Sequence, residues 1–189
     1  MSKRFVITLT AANRVGILAA VSNALTELGG DLWHISQTVV EKFFTMIIAA
    51  DFPEARTGDV ILDHIRDVCA PYAVDVTLKE PAQERLPDDP EDGMERAFLT
   101  ISGENQPGII RLVSARLAQD QIDIINLEAT RLDGGDRFLF SMEIAIPGRT
   151  NRDQLQGELA SLSDSSFNVN LRPFSEVDAE FRPLRAFLR

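Results

Sequence analysis

A single cysteine, Cys69, leaves this chain unable to form an internal disulfide or a cysteine-rich zinc site. Its position on an apolar helix face makes it a buried thiol rather than a nucleophile. Histidine is nearly as scarce. His34 and His64 are the only two, and no carboxylate spacing around either makes a metal-ligand set. Basic residues are also short: 19 Lys and Arg stand against 29 Asp and Glu, a formal net charge of -10. That balance disfavours a surface that neutralises phosphates, and with it direct DNA or RNA binding. Long apolar runs are missing too, since charge or turn residues interrupt them well short of a membrane span, and Met1-Ser2-Lys3-Arg4 leads into a strand pattern instead of a signal peptide. No membrane partner is expected, and the default location is cytoplasmic. Ser22 and Ser114 lack a Gly-x-Ser-x-Gly elbow and a histidine in register, so they are expected in close helix-to-sheet packing. No catalytic residue, metal site or cofactor is expected.

What is present is a 44% hydrophobic chain able to supply real cores, arranged with two clear periods. Phe5, Ile7 and Leu9 alternate as in a half-buried strand. Leu18, Val21, Leu25 and Leu28 follow at helical spacing and stop at Gly29-Gly30. A second strand, Asp31 to Glu41, puts Trp33, Ile35 and Val39 on the core side and His34, Ser36 and Thr38 on the other. A third carries Phe44, Met46, Ile48 and Ala50 on one face. Thr57 is the expected cap of a helix with Ile61, Ile65 and Val68. Pro71 ends that helix before a fourth strand with Val74, Val76 and Leu78. The order βαββαβ, with one apolar face per element, predicts a two-layer ferredoxin-like unit with both helices on one side of a four-stranded antiparallel sheet.

The unit is written twice. Moving 92 positions, from Gly16 to Gly108, aligns Thr8 with Thr100, Asn13 with Asn105, Ile17 with Ile109, Val21 with Val113, Ser22 with Ser114 and Asp31 with Asp123. Trp33 and Ile35 become Ile125 and Leu127. Past the hairpin, Asp133-Gly134-Gly135-Asp136 lengthens the turn, and an offset four larger matches Phe44, Met46 and Ile48 to Phe140, Met142 and Ile144. Phe138 and Phe140 share that phase and are expected in the core rather than on an RNA-binding face. Thr150-Asn151-Arg152-Asp153 resembles a capping box for a helix with Leu155, Leu159 and Leu162, and Phe167, Val169 and Leu171 form the last strand. The expected organisation is a first domain at 1–80, an acidic, proline-punctuated linker at 81–95, a second domain at 96–174 and a tail at 175–189. The apolar residues of the tail are expected to pack on one domain, with docking on a partner as the alternative.

Two related turns stand out, Asn13-Arg14-Val15-Gly16-Ile17 and Asn105-Gln106-Pro107-Gly108-Ile109. Each joins a strand to a helix whose first N–H groups have no partner within the helix, an arrangement that favours a carboxylate. An asparagine carbonyl beside it can accept from an ammonium group. The alternative, that both turns are only tight connections needing glycine, stays open.

The strand, the N-x-V-G-I or N-x-P-G-I turn, the glycine-ended helix and the Asp-Leu or Asp-Ile start of the second strand resemble the ACT domain, an amino-acid-sensing regulatory module, twice over nearly the whole chain. Two such domains with little else are similar to the glycine cleavage system transcriptional repressor group. The resemblance implies a non-enzymatic regulator that binds a small amino acid, with glycine as a candidate. It places the effector at a domain interface near Asn13, Arg14, Val15, Gly16, Ile17, Asn105, Gln106, Pro107, Gly108 and Ile109. It further implies regulation through a protein partner such as a transcriptional regulator, and side-by-side joining of halves, or of two chains in a homodimer, through the first helix and second strand. The other reading is a ligand-free structural or protein-interaction module of the same fold that regulates a partner enzyme.

Overall fold

The computed structural model describes residues 2–81, 93–162 and 167–174, and the chain divides into two compact units between Leu86 and Pro87. Residues 82–92 of the expected linker and the tail at 175–189 lie outside the described residues. The first unit runs β1 (Ser2–Ala12), α1 (Ile17–Glu27), β2 (Asp31–Val40), β3 (Phe43–Pro53), α2 (Gly58–Val68) and β4 (Asp75–Lys79). The second repeats it as β5 (Met94–Glu104), α3 (Ile109–Gln119), β6 (Asp123–Leu132), β7 (Arg137–Pro147), α4 (Arg152–Ala160) and β8 (Asn168–Pro173). Both sheets are antiparallel, in the orders β2-β3-β1-β4 and β6-β7-β5-β8. This is the βαββαβ arrangement expected of tandem ACT domains.

The cores follow from strand alternation. Phe5, Ile7, Leu9 and Ala11 of β1 are buried together with Phe44, Met46, Ile48, Ala50 and Phe52 of β3, because residues opposite one another on paired antiparallel strands share a face. Ile17, Val21, Ala24 and Leu25 of α1 and Ile61 and Ile65 of α2 close over that face, and Cys69 is fully buried among them. The second unit buries Ala97, Leu99 and Ile101 against Phe138, Phe140, Met142 and Ile144 beneath α3 and α4. Each helix pair is pinned by a polar contact. In the first unit His64 Nε2 meets Glu27 Oε2 at 2.8 Å. In the second, Arg116 Nε donates to Glu158 Oε2 at 2.8 Å and Arg116 Nη2 to Asp120 Oδ2 at 2.9 Å. Hydrogen bonds from Gln154 and then from Arg116 hold the Glu158 carboxyl below the ordinary carboxylate range.

Several expectations need correction. The hairpin of the second unit is two residues longer, not four. Ala11 pairs with Phe44 and Gly103 with Phe138, so Phe44, Met46 and Ile48 correspond to Phe138, Phe140 and Met142. The strand period of two hides such a slip, since every side chain keeps its face. On β2 a bulge between Leu32 and His34 moves Trp33 off the core side, where Arg4 lies over its ring at 4.2 Å. The same bulge falls at Ile125 in β6. Ile35, Val39 and Leu127 do point to the helix side, yet they sit on edge strands and stay exposed.

Leu18 is exposed and Ile17 takes its place in the core. Ser22 faces solvent and does not make the expected helix-to-sheet packing contact, while the half-buried Ser114 donates to the Arg111 carbonyl. Thr57 occupies the helix N-cap without a side-chain bond. For α4 the cap is Asn151, whose Oδ1 accepts from Gln154 N at 3.0 Å, and not Thr150. Met94 and Glu95, placed in the linker, begin β5, where Glu95 pairs across to Ile146 and its carboxylate meets Arg152.

Candidate functional site

Both turns rest on a glycine in the left-handed region. Gly16 has φ 101° and Gly108 has φ 84°, which strains any side-chain-bearing residue. Each asparagine is fastened to its hairpin through the backbone: Asn13 N donates to Lys42 O at 2.7 Å and Asn105 N to Asp136 O at 2.8 Å. The first capping bonds also match, Ala20 N to Gly16 O at 2.9 Å and Leu112 N to Gly108 O at 3.1 Å. The N–H groups of Ile110 and Arg111 have no backbone acceptor among the described residues, as expected for a first helical turn.

Beyond this shared frame the turns differ. Over the first, Tyr72 places its hydroxyl so close to Gly16 that a β-carbon there would collide with it. Arg14 Nη1 donates to Pro71 O at 3.4 Å, tying the same turn to the 3-10 segment Ala70–Tyr72. Val15 is fully exposed at the tip. Around Gly108 the space is open; the nearest atom to a β-carbon built there is Arg111 Nε, 4.0 Å away.

A cleft of about 440 Å³ opens at this second turn. Asn105, Gln106, Pro107, Gly108, Ile109 and Ile110 form one side, Ala129, Thr130 and Arg131 of β6 the other, and the buried Phe138 and Phe140 the floor. Asn105 Nδ2 donates to Gly135 O at 2.8 Å, using the longer hairpin as an anchor and leaving its carbonyl oxygen without a partner among the described residues. The cleft thus offers the free N–H of Ile110, with that of Arg111 next to it along the chain, for a carboxylate, an amide carbonyl for an ammonium and an apolar floor for a side chain. Of the ten expected residues, the structure brings Asn105, Gln106, Pro107, Gly108 and Ile109 to this cleft. Gly16 is covered by Tyr72 and Ile17 is buried in the core.

The sequence reading missed Arg131, Arg111 and Tyr72. The repeat carries a signal for the two arginines, because the 92-residue shift sets Arg111 opposite Ala19 and Arg131 opposite Val39. Tyr72 gives no such signal; it lies far along the chain from the turn it covers. Also missed is Glu143, 3% exposed on the sheet face away from the helices, with one oxygen 3.4 Å from Arg96 Nη1 and the other lacking a partner among the described residues. Among the described residues no three His, Cys, Asp or Glu side chains gather as a metal set, and no helix is long and apolar enough to cross a membrane.

No family model matches the chain. It is 44% identical over 50 residues to a UPF0237 protein of Corynebacterium efficiens, covering 26% of this chain and 56% of that one, so it spans just over half of that relative's length. It is 33% identical over 66 residues to a UPF0237 protein of Methanosarcina acetivorans, covering 35% of this chain and 72% of the relative. In structure it is similar to an unknown protein from Galdieria sulphuraria, with TM-score 0.76, 18% identity and coverage of 92% and 99% of the two chains. It is also similar to a protein assigned provisionally as a glycine cleavage system transcriptional repressor, with TM-score 0.63, 17% identity and the same coverage. At such identities the likeness is one of fold.

Proposed function

The chain belongs to the UPF0237 family, and from that premise we propose that it is a non-enzymatic regulatory protein that senses a small amino acid and acts through protein contacts. The observation that carries this reading is the open cleft at Asn105 to Ile110. An α-carboxylate on the N–H groups of Ile110 and Arg111, with an α-ammonium on the Asn105 carbonyl, would satisfy both ends of an amino acid. Similarity in fold to the repressor structure supports a role as an accessory to a transcriptional regulator, with glycine among the effectors to test. Binding can shift a conformational equilibrium only by its differential affinity for the two states, so the effector and the protein partner must each favour one of them.

Thermal unfolding screened against the twenty amino acids tests the reading. At least one should raise the melting temperature of the parent, and Asn105→Ala should weaken that effect. No shift with any amino acid would overturn it.

A specific observation favours a second reading, that of an interaction module without a ligand. Trp33, Val39, Val40 and Phe43 are exposed along and beside the edge strand β2, with Leu18 of α1 also exposed. An uncovered apolar edge suits pairing with a second chain or a partner subunit. Concentration-dependent sedimentation of the parent, absent in Val39→Lys, is what that reading requires.

A further inference from the structure

Two cations stand at the second turn without counter-ions among the described residues. Arg131 lines the cleft on β6, and register with Phe138 puts it on the helix side of the sheet. Arg111 sits in the first turn of α3 with its Nε beside Gly108. Neither side chain makes a hydrogen bond or ion pair among the described residues, although the chain carries a net charge of -10. The adjoining hairpin carries two acids: Asp133 lies 3.7 Å from Arg137, and Asp136 forms no ion pair with either cation among the described residues. Other arginines with acidic neighbours are paired: Arg4 with Asp51, Arg116 with Asp120 and Glu158, Arg152 with Glu95.

The first half supplies the contrast. Where the second has Arg111 and Arg131, the first has Ala19 and Val39, and there the space above the glycine is filled by Tyr72. The open copy is therefore the one with arginines at these two places, whereas the arginine of the first turn, Arg14, is tied to the Pro71 carbonyl and has Gln106 as its counterpart. A zwitterion such as glycine needs only the turn N–H groups and the Asn105 carbonyl, which leaves both guanidinium groups unused. A carboxylate is the group their planar forks fit best.

We infer that the second cleft is selective for an amino acid bearing a second acid group, L-aspartate or L-glutamate, with Arg131 and Arg111 holding the side-chain carboxylate while its aliphatic stem lies over Ile110 and the Phe138–Phe140 floor. This deepens the amino-acid-sensing reading of the same cleft and rests on it. Both arginines are solvent-exposed and stay hydrated when a neutral isostere binds, so the preference for the acid is modest.

The test is calorimetric titration of the full chain with L-glutamate, L-aspartate, L-glutamine, L-asparagine and glycine. The acids should bind about tenfold more tightly than their amides. Arg131→Gln and Arg111→Gln should each erase that preference at an unchanged melting temperature, and Arg131→Lys should keep part of it, having charge without the fork. If glycine or the amides bind as well as the acids and Asn105→Ala still weakens binding, the charge inference falls while the sensor reading stands. If the acids are preferred equally by both arginine variants, the assignment of these residues is wrong. If none of the five binds, the charge inference falls, and the twenty-amino-acid screen decides the sensor reading on its own.

Discussion

The two turns are one solution in two conditions. Both have a left-handed glycine, a hairpin bond from the asparagine N–H and a helix starting with free donors, yet Tyr72 covers the first while the second opens into a cleft. The longer second hairpin contributes to the difference, since Gly135 accepts from Asn105 Nδ2 and holds the amide beside the cleft. The shared frame is what the fold needs, and the unshared residues are where a function specific to one copy has room to act.

The comparison can be broken first at the cores, where the halves should behave alike. Ile61 and Leu155 occupy equivalent buried places on α2 and α4. Either residue changed to Ala should cost its own unit about 3 kcal/mol, seen as lost amide exchange protection in that unit. A cost below about 1 kcal/mol at either site would show that its helix does not close the core.

The glycines should behave differently. Gly16→Ala should cost about 2 kcal/mol, from left-handed strain plus displacement of Tyr72, and Gly108→Ala about 1 kcal/mol from strain alone. Adding Tyr72→Ala to Gly16→Ala should bring the further cost of the glycine change down to that at Gly108, a double-mutant cycle read by urea unfolding. Equal costs at the two glycines in the parent background would remove Tyr72 from the account.

Smaller still is the contrast between the arginines at the starts of β1 and β5. Arg4 forks onto Asp51 at 2.8 and 2.9 Å in a half-exposed setting, so Arg4→Met should cost less than about 1 kcal/mol. Arg96→Met leaves Glu143 buried and unpaired, and should cost about 2 kcal/mol.

The smallest effect is one of pH. The hydrogen bond from Arg4 lowers the Asp51 carboxyl below its ordinary value, against a lesser opposing effect of burial. The stability it contributes is therefore present above about pH 4, is lost as pH falls through the folded value, and should be missing from the acid-unfolding profile of Asp51→Asn.

The alternation of Phe5, Ile7 and Leu9, the helical spacing of Ile61 and Ile65 and the repeat of Asn-x-x-Gly-Ile were enough to specify two ferredoxin-like units, because burial of one face per element leaves few other arrangements. What the pattern could not carry was geometry that breaks the period. The bulge at Trp33 exchanges a face without any residue that announces it, and a two-residue hairpin insertion preserves every face while moving the register. The turn at Asn105 was legible as a candidate site because glycine and a helix start mark it. The cover on its twin was not, because Tyr72 reaches Gly16 from the far end of the unit and proximity of that kind is set by tertiary packing. Arg111 and Arg131 were visible as exceptions to the repeat, at Ala19 and Val39, but only the cleft, which Arg131 lines and Arg111 adjoins at Gly108, gives the exceptions a place to act.

The central claim is that one of the two turns is open to an amino acid and the other is closed. Calorimetric stoichiometry of the full chain with the amino acid that gives the largest thermal shift tests it directly, using folded Asn13→Ala, Asn105→Ala and Gly108→Val variants beside the parent. The account predicts one ligand per chain, binding unchanged in Asn13→Ala, weakened about fivefold or more in Asn105→Ala and abolished in Gly108→Val. Two ligands per chain, or loss of binding in Asn13→Ala with Asn105→Ala and Gly108→Val unaffected, would contradict it.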